Sequence, residues 1–360
     1  DLYRLALERS EKIKYTEQNL FLAEEAKNKR RAVLMPRLST SGSYTDFSER
    51  KRADNLVLTR TMIFPGTVIQ PDYMSQWGIR LDQAMTLNGK EIRDFQIARE
   101  NIAKQEKEIY AAKEDYMMTV AVNYYEVLRA QKILEIANAA VKRLTLYRDA
   151  AQKRLKIGEV TKTVLLRADG ELSGAVSEEI RTRNALDLFR AVLARTVGIS
   201  TDFRLREKLC PEMPLEELET YFRTAQEERA DLQSAKIDKK IAEEQISVAQ
   251  GGFWPIFSVA GVYGRLDQHP MASTSNRESV YGQVALNYPF FEGGLRMAEV
   301  REATVKNKQA QLRLDDLQKT IRIEVESAYV ELKNQRAIIK SLEDQLTFAR
   351  DNYQAVTRQF

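Results

Sequence analysis

A catalytic or metal site in this chain would have to be assembled from very few groups. Among 360 residues there is one cysteine, Cys210, and one histidine, His269. A structural zinc site draws on about four Cys and His ligands, so neither a zinc cluster nor a disulfide framework can be built. Cys210 has no histidine near it in sequence to form a thiolate–imidazole pair. The turn Asn88-Gly89-Lys90-Glu91 lacks the glycine spacing that cradles phosphate. Acid pairs such as Asp315-Asp316 sit in charged, helix-forming sequence, where a solvated face is the simplest reading. No catalytic residue, cofactor or metal is expected.

The residues whose types and spacing do carry meaning are aromatics, prolines and glycines at junctions. In NYPFFEGGLR, Tyr288, Phe290 and Phe291 surround Pro289 and precede Gly293 and Gly294. Phe253 and Trp254 stand just before Pro255 in a matching position. Such rings partition to a membrane–water boundary, where an apolar body and a polar surround are both available. Pro289 has no amide to extend a ladder, and the glycines permit a sharp turn into a helix. For any single ring, a soluble junction with core aromatics competes on equal terms.

Composition narrows the class. Lys and Arg total 56 against 52 Asp and Glu, a net charge of +4, and no basic stripe marks a nucleic-acid partner. No run of about 18 apolar residues is present, so a membrane-spanning helix is not expected. The chain opens inside helix-like sequence, as a cytosolic protein or one whose targeting peptide has been removed would.

The elements that position these junctions repeat. ERSEKIKYTEQNLFLAEEAKNKRRAVLMP and ERADLQSAKIDKKIAEEQISVAQGGFWP are helix-like, and each stops at a proline, Pro36 and Pro255. A strand-like stretch follows each. A shift of 205 residues then carries Asn88 onto Gly293 and Tyr124 onto Tyr329. We expect a tandem duplication. The first repeat spans 1–198, with a helix over 1–35, strands near 37–47 and 76–87, and a long helical hairpin over 90–197. A connection follows at 199–214, containing Cys210, Pro211 and Pro214. The second repeat spans 215–360, with a helix over 215–251, strands near 256–266 and 279–290, and a long helix over 294–360.

The long helix of the first repeat would reach roughly 100 Å at 1.5 Å per residue. Phe95, Ala98, Ile102, Ile109, Ala112, Tyr116, Val120, Tyr124, Val127, Leu134, Ala137, Val141 and Leu144 recur mostly at steps of three and four, a seam for partner helices. Gly158 breaks the pattern and Gly198 is placed to end the return helix. Gly170 and Gly174 weaken that helix by roughly 1 kcal/mol each relative to alanine. Lys27, Lys29, Arg30 and Arg31 close the first helix, where they compensate its dipole.

The strands are two-faced. Trp77, Ile79 and Leu81 alternate with Gly78, Arg80 and Asp82, and Val280, Val284 and Leu286 alternate with Tyr281, Gln283 and Asn287. Arg80, Asp82, Gln83, Gln283 and Asn287 are candidates for a polar, lumen-facing surface. The same pattern also describes a solvated face on a soluble sheet. A sheet exposed to lipid must close, and four strands are too few to enclose a lumen, so other copies would supply the rest. The loops 48–75 and 267–279 would then lie outside the membrane.

With these junctions, strands and helices on the page, the sequence resembles the TolC-like outer membrane efflux proteins over essentially its whole length. The carriers are PFFEGGLR, the helix segments NYYEVL and AYVEL, the hairpin tip RLKIGEVTKTVLL, and the inter-repeat stretch LARTVGI…ERADLQSA. The resemblance implies a mainly α protein with a transmembrane β part. Its homotrimer forms a 12-stranded β-barrel in the bacterial outer membrane on an α-helical barrel that spans into the periplasm. It implies a passive duct for efflux or type I secretion, joined through a periplasmic adaptor, or membrane fusion protein, to an inner-membrane pump. Leu155, Ile157, Gly158, Glu159, Val160 and Thr161 become the candidate adaptor-docking tip. The family's acidic constriction follows the second tip, and the corresponding first-repeat positions here read Val164 and Arg167. Phe360 corresponds to Leu155, so a second return helix is expected to be missing from this stretch. The competing readings are a soluble coiled-coil scaffold and a periplasmic adaptor with long helical hairpins.

Overall fold

A computed structural model describes residues 2–53, 56–59, 62–64, 68–206, 214–271 and 276–359. Cys210 and Pro211 of the expected connection, parts of the 48–75 and 267–279 loops, and Phe360 lie outside the described residues. The elements run α1 (Leu2–Arg9), α2 (Glu11–Val33), β1 (Arg37–Asp46), β2 (Lys51–Arg52), β3 (Leu56–Thr59), β4 (Met62–Phe64), β5 (Val68–Gln70), β6 (Tyr73–Thr86), α3 (Lys90–Lys156), α4 (Lys162–Val197), α5 (Leu218–Glu228), α6 (Ala230–Gly251), β7 (Ile256–His269), β8 (Glu278–Asn287) and α7 (Leu295–Gln359). No helix among the described residues is long and apolar enough to cross a membrane.

Two stretches expected as single helices, 1–35 and 215–251, are each two helices. The first is interrupted at Ser10, whose hydroxyl accepts a hydrogen bond from the Ile13 amide at 3.3 Å, the work of an N-cap. The second is interrupted at Arg229, which adopts an extended conformation. Its guanidinium is held by Asp231 at 2.7 Å and Glu324 at 2.6 Å. Helix propensity is high through both stretches. Side-chain hydrogen bonding to specific partners decides the breaks.

The chain forms two compact units. One combines Asp1–Leu20, Glu106–Asp231 and Ile321–Phe360. Its core is Ala6, Ile13, Tyr116, Val120, Val127, Leu193 and Val197. Each large aliphatic side chain there contributes about 1.5–3 kcal/mol through burial. The Tyr116 hydroxyl donates to the Thr196 carbonyl and Tyr124 to that of Arg206, so the ends of both phenols are satisfied. Gly198 ends α4 at φ 73°, and Arg9 donates to its carbonyl at 2.8 Å.

The other unit combines Phe21–Gln105 with Leu232–Thr320. It holds an antiparallel four-stranded sheet in the order β1-β6-β7-β8. β6 and β7 are each 14 residues long and β1 and β8 each ten. β6 starts at Tyr73, earlier than expected, and β7 continues to His269, because the period-two pattern persists into sequence that composition marks as loop. β8 stops at Asn287, two residues before Pro289. The helices of this unit follow the same order as the strands. Arg30 of α2 reaches Asp94 of α3 at 3.7 Å. Lys104 and Glu100 of α3 pair with Asp238 and Lys240 of α6 at 2.8 and 2.7 Å. α6 and α7 share a groove lined by Ala235, Ile241, Ala242, Lys306 and Ala310.

Candidate functional site

The ladder registers determine which side chains share a face, because Cα partners in an antiparallel pair project to the same side. One face carries Leu38 opposite Leu81 and Gly261, Thr40 opposite Ile79 and Tyr263, and Val259 opposite Val284. Trp77, Phe257, Val280 and Leu286 belong to it as well. Leu38, Trp77, Ile79, Leu81, Phe257, Val259, Val280, Val284 and Leu286 are all exposed, Val280 to 80%. An apolar surface of this breadth on an aqueous monomer marks a lipid or protein contact. Trp77 and Tyr263 meet edge to face across it, with centroids 5.5 Å apart.

The opposite face is polar and small. Arg37 lies opposite Asp82, Ser39 opposite Arg80, and Ala260 opposite both Asp82 and Gln283. Asn287 belongs to it through Ile256. Arg80 approaches Asp82 at 3.5 Å. Of the five residues proposed for a lumen surface, Arg80, Asp82, Gln283 and Asn287 therefore share one side. Gln83 does not. It is one residue past Asp82 on an alternating strand, so it lies opposite Val259 on the apolar face. Its amide donates to the Val33 carbonyl at 3.2 Å, tying β6 to the end of α2.

At the helix end of the sheet, Phe253, Trp254, Tyr288, Phe290 and Phe291 are all exposed. Tyr288 and Phe290 pack edge to face at 6.4 Å. Gly293 and Gly294 have φ of 59° and 85°, the left-handed region that side chains resist. Beside them, a hydrogen bond from Arg296 holds the Glu292 carboxylate below its ordinary range. The earlier junction is tighter. Glu91 accepts from the Thr86 amide at 3.0 Å and its hydroxyl at 2.6 Å, while Asn88 accepts from the Lys90 amide at 3.2 Å.

A second aromatic group lies outside the motifs that the sequence singles out. Tyr44, Tyr73 and His269 stack at the loop end of the apolar face, with centroids 5.9 and 6.1 Å apart. The signal was the alternation itself, which places Tyr73 in step with Trp77 once β6 is extended to its true start.

The hairpin tip joins α3 to α4. Gly158 has φ 82°. The Gly158 amide donates to Leu155 at 3.1 Å, and that of Glu159 to Arg154 at 2.9 Å. This is a Schellman closure, in which the orphan carbonyls of the last turn are satisfied. The apolar contact usual in that motif is replaced by an exposed Arg154–Glu159 pair at 3.9 Å. Ile157, Gly158, Glu159 and Thr161 are exposed, and Leu155 and Val160 are half-buried.

A long-helix chain with a four-stranded, two-faced antiparallel sheet has the fold of solved outer-membrane channels. The CmeC outer membrane channel of Campylobacter jejuni superposes with a TM-score of 0.77 at 15% identity, covering 98% of this chain and 76% of that one. The outer membrane efflux protein family matches residues 2–198 and 222–360, and the chain belongs to that family. Two relatives are the outer membrane efflux protein BepC of Brucella suis and the outer membrane protein TolC of Vibrio cholerae. BepC is 23% identical over 76% of this chain, and TolC 23% over 78%. The chain spans 60% and 62% of their lengths.

Proposed function

We propose that the chain is a subunit of a passive exit duct in the bacterial outer membrane. Three copies join their four-stranded sheets into one barrel, and their helices form the wall of a tunnel into the periplasm. The observation that carries this reading is the sheet: an exposed apolar face, a polar face and, among the described residues, an unpaired edge on either side. In hydrocarbon each unpaired backbone group costs several kcal/mol, so those edges require neighbouring strands. A soluble scaffold or adaptor would hide the apolar face in a core, and here it is open. A relative named for outer-membrane efflux, BepC, agrees with this reading.

Substrates cross through water along the polar face, so the work needs no catalytic group. The chain is read as two tandem repeats, 1–198 and 215–360, around the connection at 199–214. The tip at Leu155–Thr161 docks a periplasmic adaptor, and through it an inner-membrane pump of an efflux or type I secretion system. The aromatic rings at the two ends of the apolar face mark the two lipid boundaries.

The test is purification and bilayer recording. A duct subunit requires detergent, migrates as a heat-sensitive trimer and gives unitary conductance steps. A monomer that stays dispersed in plain buffer would overturn the reading. For the tip, Gly158→Trp is expected to abolish export while leaving the trimer intact. Full export by an assembled Gly158→Trp trimer would remove the docking assignment alone.

A further inference from the structure

The polar face of the sheet is not uniform along its strands. Ser41 lies opposite Gly78, Gly78 opposite Gly264, and Gly264 opposite Ser279, so one complete row carries nothing larger than a hydroxymethyl group. The two rows on the helix side of it differ. One aligns Arg37 with Asp82, Ala260 and Gln283. The other aligns Ser39 with Arg80, Val262 and Tyr281. Among the described residues of the four strands, Arg37, Arg80 and Asp82 are the only charged ones on this face. Neighbouring rows of one face stand about 6.6 Å apart, so all three charges fall within a single narrow belt. Arg37, Arg80, Tyr281 and Gln283, the longer side chains of the belt, are all exposed. Arg37 is the first residue of β1, which puts the belt close to the helix end of the sheet.

We infer that this belt is the cargo-selecting level of the membrane section, and that it favours solutes bearing carboxylate, phosphate or sulfonate groups over cations. The inference rests on the duct reading above, which turns the polar face to the lumen, and it names the class of substrate for that passage. Cargo leaving the helical tunnel meets the belt as it enters the barrel.

The charges of the belt do not cancel. Arg80 approaches Asp82 at 3.5 Å, which accounts for one guanidinium and the carboxylate. Arg37 forms no ion pair among the described residues, so each copy adds one net positive charge at the same level. A guanidinium presents a planar fork that matches an oxyanion with two parallel hydrogen bonds, and it stays charged at every working pH. Tyr281 adds a phenol hydroxyl beside it. In water, a unit charge about 8 Å away biases a passing ion roughly twofold. Salt at physiological strength screens over about 8 Å, so the preference is exerted at the belt and fades beyond it. The row from Ser41 to Ser279 then offers no long side chain to hold the cargo, and the solute moves on.

The test is the reversal potential of single channels under a gradient of dilute potassium chloride. Arg37→Gln and Arg80→Gln are each expected to lower the chloride-to-potassium permeability ratio about twofold, and Asp82→Asn to raise it by a similar factor. Loosening of the barrel would move all three variants the same way, so the opposite signs separate charge from structure. In 1 M salt, where screening acts within about 3 Å, the shifts should nearly vanish. A second arm uses benzenesulfonate as the cargo probe: it should interrupt the current of the unaltered channel at concentrations that leave the Arg37→Gln, Arg80→Gln double variant open. Conducting channels whose permeability ratio is unmoved, or moves alike in all three variants, overturn the belt and leave the duct intact. Equal interruption of both channels by benzenesulfonate overturns the oxyanion preference. An unaltered protein that gives no conductance steps overturns the duct reading itself.

Discussion

Arg80 and Gln83 lie three residues apart on β6 and on opposite faces of the sheet. Arg80 sits between Ser39 and Val262, and Gln83 beside Val259. Cysteine at Arg80 or Asp82 should react rapidly with a water-soluble maleimide in membrane-inserted protein. At Ile79 or Leu81 it should react only slowly. Gln83→Ala should lose the bond to the Val33 carbonyl, lowering stability by about 1 kcal/mol. Equal labelling at Arg80 and Leu81 would contradict the assignment of faces.

Gly78 is fixed by a close backbone approach. A Cβ there would stand 2.8 Å from the Tyr263 carbonyl oxygen, whereas one at Gly42 would meet its nearest atom at 3.9 Å. Gly78→Ala should therefore cost about 1–3 kcal/mol, the usual range for overpacking, and lower the protein's melting temperature. Gly42→Ala should be nearly silent in the same melting experiment.

Glu91 ties the end of β6 to the start of α3. Burial raises its pKa, but hydrogen bonds from Thr86 and from its own amide, together with the Lys90 charge, outweigh that and leave it below the ordinary value. A depressed carboxylate contributes stability that is fully present above its unfolded pKa of about 4.3 and is lost as pH falls through the lower folded value. Glu91→Ala should thus destabilise by about 1–3 kcal/mol at neutral pH. The gap from the unaltered protein should narrow as the solution is acidified below about pH 4. A gap that is constant from pH 7 to pH 3 would show that the charge is not what matters.

Arg229 joins the break between α5 and α6 to α7, donating to both Asp231 and Glu324. Those hydrogen bonds raise its pKa further above its already high value, against the effect of burial. Lysine keeps the charge but lacks the planar fork. Arg229→Lys should therefore cost about 1 kcal/mol, read as an earlier thermal transition. An unchanged transition would mean that Coulomb attraction alone holds this site.

Much of this protein is encoded in neighbours along the chain. The long helices follow from unbroken helix-forming residues, the two-faced strands from alternation, and the end of α4 from a glycine able to take φ 73° at position 198. Each depends on contacts within a few residues, so the sequence alone determined them. What depends on partners far along the chain was decided only by the folded structure. Register across β1, β6 and β7 gathered Tyr44, Tyr73 and His269 into one stack, and side-chain bonds at Ser10 and Arg229 broke two helices that propensity alone would continue. Among the described residues, the order of strands likewise left β1 and β8 at the two edges of the sheet. Local propensity carries no information about which distant segment supplies a partner, and it is that pairing that sets faces, edges and breaks.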